Sequence, residues 1–223
     1  MAGKTPAAAK TVAEIVADYV KARKATKPAP QAKQTMALGN NGKITGDGGL
    51  GGLLKVASPI INKVLKKNST DTDYVPASSH ADLKASDVKS AKAIVSADGK
   101  YTDYIIYVKD QTDGPNGDSH NGGPVARGVG TLGSIDEALN QLGAIQDGKE
   151  NVKLTYTNAY IFARVDNSTG KIINGTYHYL VKINISEAEL KLGISAKVKN
   201  MYGEVDYFVR IGNNKQGYNG AKG

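Results

Sequence analysis

Gly128-Val129-Gly130-Thr131-Leu132-Gly133 has the G-x-G-x-x-G spacing that lets a backbone turn approach a dinucleotide pyrophosphate. That chemistry needs a buried strand feeding the first glycine and a parallel sheet behind it. The residues upstream are Asn121-Gly122-Gly123-Pro124, which read as loop, so the glycines are assigned to a turn. Asp113, Asn116, Asp118 and His120 crowd one loop and offer the oxygen and nitrogen donors a cation would take. The calcium-loop spacing is missing its Glu, and Asn, Asp and Gly equally dominate ordinary turns, so the loop is either a weak cation set or plain turn chemistry. His80, His120 and His178 share no helix-spaced or strand-spaced motif, so no zinc site is assigned. There is no Gly-x-Ser-x-Gly elbow. The chain has no cysteine, which excludes thiol nucleophiles, thiolate zinc sites and iron–sulfur clusters. No catalytic residue, metal or cofactor follows from these patterns, and the chain is read as a non-enzyme.

The elements that would position any site are clearer. Ala188, Leu190, Leu192, Ile194, Ala196 and Val198 alternate with Glu187, Glu189, Lys191, Gly193, Ser195 and Lys197. Period two is the mark of a strand with one buried and one wet face. The pattern resumes after Asn200-Met201-Tyr202-Gly203 with Val205, Tyr207, Val209 and Ile211, and Tyr177, Tyr179, Val181, Ile183 and Ile185 precede it. Turns are expected at Asn200–Gly203 and between Ile185 and Ala188. A parity change near Asn158 implies a bulge or turn. Ala97-Asp98-Gly99-Lys100 marks a hairpin between strands at Val88–Ser96 and Tyr101–Lys109, and residues 166–171 form another turn.

Thr11 to about Thr26 reads as a helix. Val12, Ile15, Val16, Tyr19 and Val20 share one face, and Thr11 with Glu14 makes a capping box. A second apolar segment runs from Leu50 to Leu65, with Pro59 expected to kink it or to mark a start near Ser58. Ser134–Leu142 reads as a short helix. Without strand–helix–strand alternation a parallel sheet is not expected. The fold class is therefore α+β: a twisted or curved antiparallel sheet of six to seven strands packed by two or three helices. The expected organisation is a basic helical extension and linker (1–49), an apolar helix and linker (50–87), an antiparallel β domain (88–211) and a tail (212–223).

The net charge of +8 is concentrated at one end. Residues 1–67 hold eleven Lys and Arg23 against Glu14, Asp18 and Asp47, 12 against 3, and the remainder is close to neutral. Lys21, Arg23, Lys24 and Lys27 are the candidate contacts to an anionic envelope polymer or lipid surface; no specific nucleic acid is implied. No stretch is long and apolar enough to span a membrane.

Five features carry a resemblance: Tyr19 with Lys24–Pro28, the apolar segment Gly48–Leu65 after a glycine-rich stretch, the lead-in Leu83–Ala91, the loop Lys109–His120, and the Thr169–Tyr179 turn and strand. With them the chain resembles a class of secreted proteins from gut Firmicutes that has N-terminal helices and a C-terminal antiparallel β domain. The resemblance implies export, with a signal sequence removed from this chain, and an extracellular or envelope location. It implies no activity. The surplus of apolar surface points to an apolar or lipid-like ligand, lined by Leu54, Ile61, Leu190, Leu192, Ile194 and Tyr207, with the 50–65 helix either completing the core or acting as a lid. The rival expectation is a surface module that binds protein or glycan through exposed tyrosines and the 110–133 loop.

Overall fold

The structure is a computed structural model that describes residues 10–39, 42–67, 69–114, 120, 122–134, 145–192 and 194–212. In chain order the elements are α1 (Val12–Ala25), β1 (Gln31–Leu38), β2 (Thr45–Gly48), α2 (Leu50–Lys67), β3 (Asp71–Asp73), β4 (Val88–Val95), β5 (Tyr101–Val108), β6 (Gln111–Asp113), α3 (Pro124–Gly128), β7 (Ile145–Asp147), β8 (Val152–Asp166), β9 (Lys171–Leu192) and β10 (Ile194–Ile211). Among the described residues ten strands form one sheet in the order β3-β1-β10-β9-β8-β5-β4, with β2 beside β10, β6 beside β8 and β7 beside β9. Every pairing is antiparallel. The antiparallel sheet with helices agrees with the sequence reading; the strand number exceeds it.

The extra strands come from stretches read as linkers and loop. Residues 27–49 carry β1 and β2, and residues 68–87 carry β3. β1 has few branched or aromatic residues, so its own propensity is weak. Its place is set by pairing with β10, from Ala32 opposite Ile211 to Leu38 opposite Val205. The loop at 110–133 contains β6 and α3. The Ser134–Leu142 helix expectation lies, beyond its first residue, outside the described residues, as do Asn116, Asp118 and the 213–223 tail.

β9 and β10 form one long hairpin. Ile194 stands opposite Leu192, so the alternation over 188–198 spans two strands and not one. Opposed residues face the same side of the sheet, so the alternation carries over from β9 to β10 and the sequence reads as continuous. Neither expected turn exists at 186–187 or 200–203. β9 and β10 change parity together, between the Lys199–Glu187 and Met201–Ile185 pairs, where Asn200 takes φ 50°. The register is kept through the kink. Asn158, at φ 53°, makes the expected bulge in β8, between the Thr157 and Tyr160 pairings.

All three helices lie on one face of the sheet. α1 keeps its capping box, Thr11 Oγ1 accepting from the Glu14 N–H while Glu14 accepts from the Thr11 N–H. It buries Ile15, Val16, Tyr19 and Ala22, and leaves Val12 exposed. The cross-strand row Ala93–Tyr104–Ala163–Gly175–Ile211–Ala32 is small at four of its six positions. That shallow row leaves room for Tyr19, whose ring lies 6.4 Å from Tyr104. α2 runs unbroken through Pro59, which sits inside the helix instead of starting it. Leu50, Leu53 and Leu65 are buried, and α2 packs on β10, β1 and β2. Ile15, Leu53 and the inward residues of the sheet belong to one hydrophobic cluster, so both helices share the core of the sheet.

Leu190 is 2 % exposed and Ile194, at the hairpin tip, 44 %. Leu190→Asp should cost on the order of 3–5 kcal/mol, because it buries an unpaired charge, whereas Ile194→Asp should cost less than about 1 kcal/mol. Urea midpoints of the two variants compare them directly; equal midpoints would contradict the placement of the tip.

Candidate functional site

The residues expected to carry function fall into two places. Leu54 and Ile61 are partly buried on α2 and packed against the core. Leu190 and Tyr207 are buried. Tyr207 stacks on Tyr179 with ring centroids 4.6 Å apart, and Tyr179 meets Tyr156 edge-on at 5.1 Å. The Tyr207 hydroxyl donates to Gln34 Oε1 at 3.0 Å and lies 3.1 Å from the Tyr74 hydroxyl. Ile194 is exposed at the start of β10 and does not join this group. The Leu192 side chain lies outside the description.

The second place is a groove of about 510 Å³ at the C-terminal end of α1, walled by β3 and the 74–82 loop. Arg23, Lys24 and Lys27 line it, while Lys21 is exposed on α1 and is not among its lining residues. Arg23 is not an exposed anion contact: its side chain is 4 % exposed. Its guanidinium donates to the Ala77 carbonyl at 3.0 Å, the Arg127 carbonyl at 3.4 Å and Asp82 at 2.9 Å. A planar cation with five N–H donors leaves water only when acceptors replace it. The 74–82 loop supplies two of the three, and Ala77 takes φ 56° in doing so, a left-handed conformation that a non-glycine residue holds only under outside constraint. Lys24 meets the other Asp82 oxygen at 2.5 Å. Thr26 closes the helix, its N–H donating to Ala22 and Arg23 carbonyls and its hydroxyl donating to the Ala22 carbonyl and accepting from the Ile172 N–H.

Behind the groove the network continues. Arg127, on α3, holds Asp87 through two bonds of 2.7 and 2.5 Å. Asp82 and Asp87 thus anchor the Arg23 and Arg127 guanidinium groups, and the Arg127 carbonyl accepts from Arg23. The Lys24 ammonium, and Arg23 after it, hold the Asp82 carboxyl below its ordinary value. For Asp87 burial pushes upward, but Arg127 and the Lys84 N–H outweigh it, so this carboxyl is also lowered.

The buried tyrosines complete the interior. Among the described residues the hydroxyls of Tyr19, Tyr177 and Tyr179 have no hydrogen-bond partner in good geometry. Burial pushes the Tyr177 and Tyr179 phenols well above their ordinary value and raises Tyr19 as well. They are neutral, so they act as donors and acceptors and not as phenolate bases. Of the described tyrosines, Tyr19, Tyr104, Tyr156, Tyr177, Tyr179 and Tyr207 are buried, and Tyr74, Tyr101, Tyr107, Tyr160 and Tyr202 are partly exposed.

Sequence reasoning missed Asp82, Ala77, Asp73 and Tyr74, all inside a stretch read as linker. One signal was available: Arg23 falls eight residues after Ile15 and seven after Val16, on the apolar stripe of α1, where a charge demands a buried partner. Among the described residues no group of His, Asp or Glu is arranged to hold a metal ion, and no helix is long and apolar enough to cross a membrane.

Both lowered carboxyls contribute stability that is full above their unfolded value of about 4 and is lost as pH falls through the lower folded value. Asp87→Asn should cost about 3 kcal/mol at neutral pH, because it strands the partly buried Arg127 charge. It should also flatten the acid limb of stability against pH. Urea unfolding from neutral pH down to strong acid checks both; an unchanged acid limb would place the acid-sensitive group elsewhere.

No protein-family model matches the chain, and searches of curated proteins and of solved structures return no significant match.

Proposed function

We propose that the chain is a non-catalytic binding protein of the cell exterior or envelope that holds an apolar, lipid-like ligand against α2. One observation carries this reading. α2 and the strands it packs against carry apolar side chains that are only partly buried: Leu54 and Ile61 on α2, Met36 and Leu38 on β1, Ile44 before β2 and Met201 on β10. A core that was complete would bury them. Two methionines give the seam side chains that re-pack around different shapes. The helix has 18 residues, a length of about 27 Å, so the seam suits an extended acyl chain. Gly49, Gly51 and Gly52 at the start of α2 add backbone freedom there, and a Cβ at Gly51 or Gly52 would meet nothing.

The buried Leu50 and Leu53 fix one end of α2 and the buried Leu65 the other, so the proposed opening lies along the side that carries Leu54 and Ile61. Replacing Leu54 and Ile61 together with Ser should abolish retention of a fluorescent fatty acid while lowering stability by less than about 2 kcal/mol per site, the range for half-buried apolar groups. Retention assays beside thermal unfolding separate the outcomes. A large fall in melting temperature in a protein that never retained the probe would discard the lipid reading and leave α2 as core.

A further inference from the structure

We propose that the groove at the end of α1 is a separate binding site for a small zwitterion of the short-peptide class, one with a free ammonium and a free carboxylate. The groove, about 510 Å³, is within the usual range of small-molecule sites and exceeds what a single amino acid fills. Its charges divide into two sets. Asp82 is already engaged by Arg23 and Lys24, which together outnumber it by one positive charge. Lys27 and Asp73 also line the groove, both exposed, and neither makes an ion pair with another described residue. A groove that presents one uncommitted ammonium and one uncommitted carboxylate is matched by a ligand with the opposite pair.

The geometry favours one orientation. The negative pole of α1 ends at the groove, its last carbonyls capped by the N–H and hydroxyl of Thr26 and by the N–H of Lys27. That pole and Asp73 attract the ligand ammonium. Lys27, with the surplus positive charge of the Arg23–Asp82–Lys24 cluster, attracts the carboxylate. Ala29 and Val75 also line the groove and add a small apolar element to its wall. The floor is preorganised: Arg23 is locked by its three acceptors, and the Tyr74 hydroxyl is engaged by Gln34 and Tyr207. A rigid floor lowers the ordering cost of binding a small polar molecule. The site is distinct from the α2 seam, so it stands or falls without the lipid reading.

The test is calorimetric titration of the whole chain with L-alanyl-L-alanine, with its N-acetyl form and with its C-terminal amide. The free dipeptide should bind about tenfold tighter than either blocked form, the loss expected for one charge pair. Asp73→Asn should weaken the free dipeptide by about tenfold and leave the N-acetyl form unaffected, while Lys27→Gln should do the same with the amide as its insensitive partner. Neither residue holds the fold, so both variants should keep the parent melting temperature, which is measured alongside. Equal binding of free and blocked dipeptides, or variants with unchanged affinity, overturns the proposal. So does the absence of measurable heat at millimolar dipeptide.

Discussion

The pairing of β9 with β10 is the constraint on which the remainder of the structure rests. From the Leu192–Ile194 pair at the tip to the Gly175–Ile211 pair at the base it keeps a single register. β10 then offers its free edge to β1 and β2, and β9 offers its own to β8 and β7. A slip of one residue would turn one strand over relative to the other. With β10 displaced, Tyr207 would leave the helix side and the polar Glu204 and Asp206 would enter it. The paired parity change near Asn200 matters for the same reason: because both strands turn over together, the inward face stays apolar along the whole hairpin.

The opposite face has an order of its own. Tyr107, Tyr160, His178 and Phe208 stand in one cross-strand row over four strands, with ring centroids 6.4, 5.0 and 4.3 Å apart. His178 is fixed between the Asn158 carbonyl at 3.0 Å and Asp206 at 3.1 Å. Arg210 lies over the Phe208 ring, and Arg164 meets Asp103 through two bonds. The rings lean on one another, so the row acts as a clamp across the strands. The sheet is held from both sides, by helices on one face and by this row on the other.

Local chemistry was legible in the sequence, and distant pairing was not. The α1 capping box, the Asp98-Gly99 hairpin, the turn at 166–170 and the Asn158 bulge each announce themselves within a few residues. β1, β2 and β3 do not, because their residues become strands only beside β10 or β1. The β9–β10 boundary was hidden for a subtler reason: with Ile194 opposite Leu192 the alternation of one strand carries on into the next. At the groove, charge pointed to Lys24 and Lys27. It also pointed to Arg23, whose burial reverses the meaning of that charge, from a contact with solvent anions to the organiser of the 74–82 loop.

The place of β1 in the sheet bears on how the chain reaches this state. Ala32 pairs with Ile211, and β1 joins the sheet only through β10 and β3. A nascent chain that has exposed β1 can pair it only with the three-residue β3 until β10 emerges. The contact order is correspondingly high, and loop closure over nearly the whole described chain precedes the final pairing. β3, already paired to β1 alone, cannot substitute for it. Until β10 arrives, the long β9 presents an open edge that another chain can occupy, so the interval before β10 docks is when this protein is most exposed to misassembly or to a holdase.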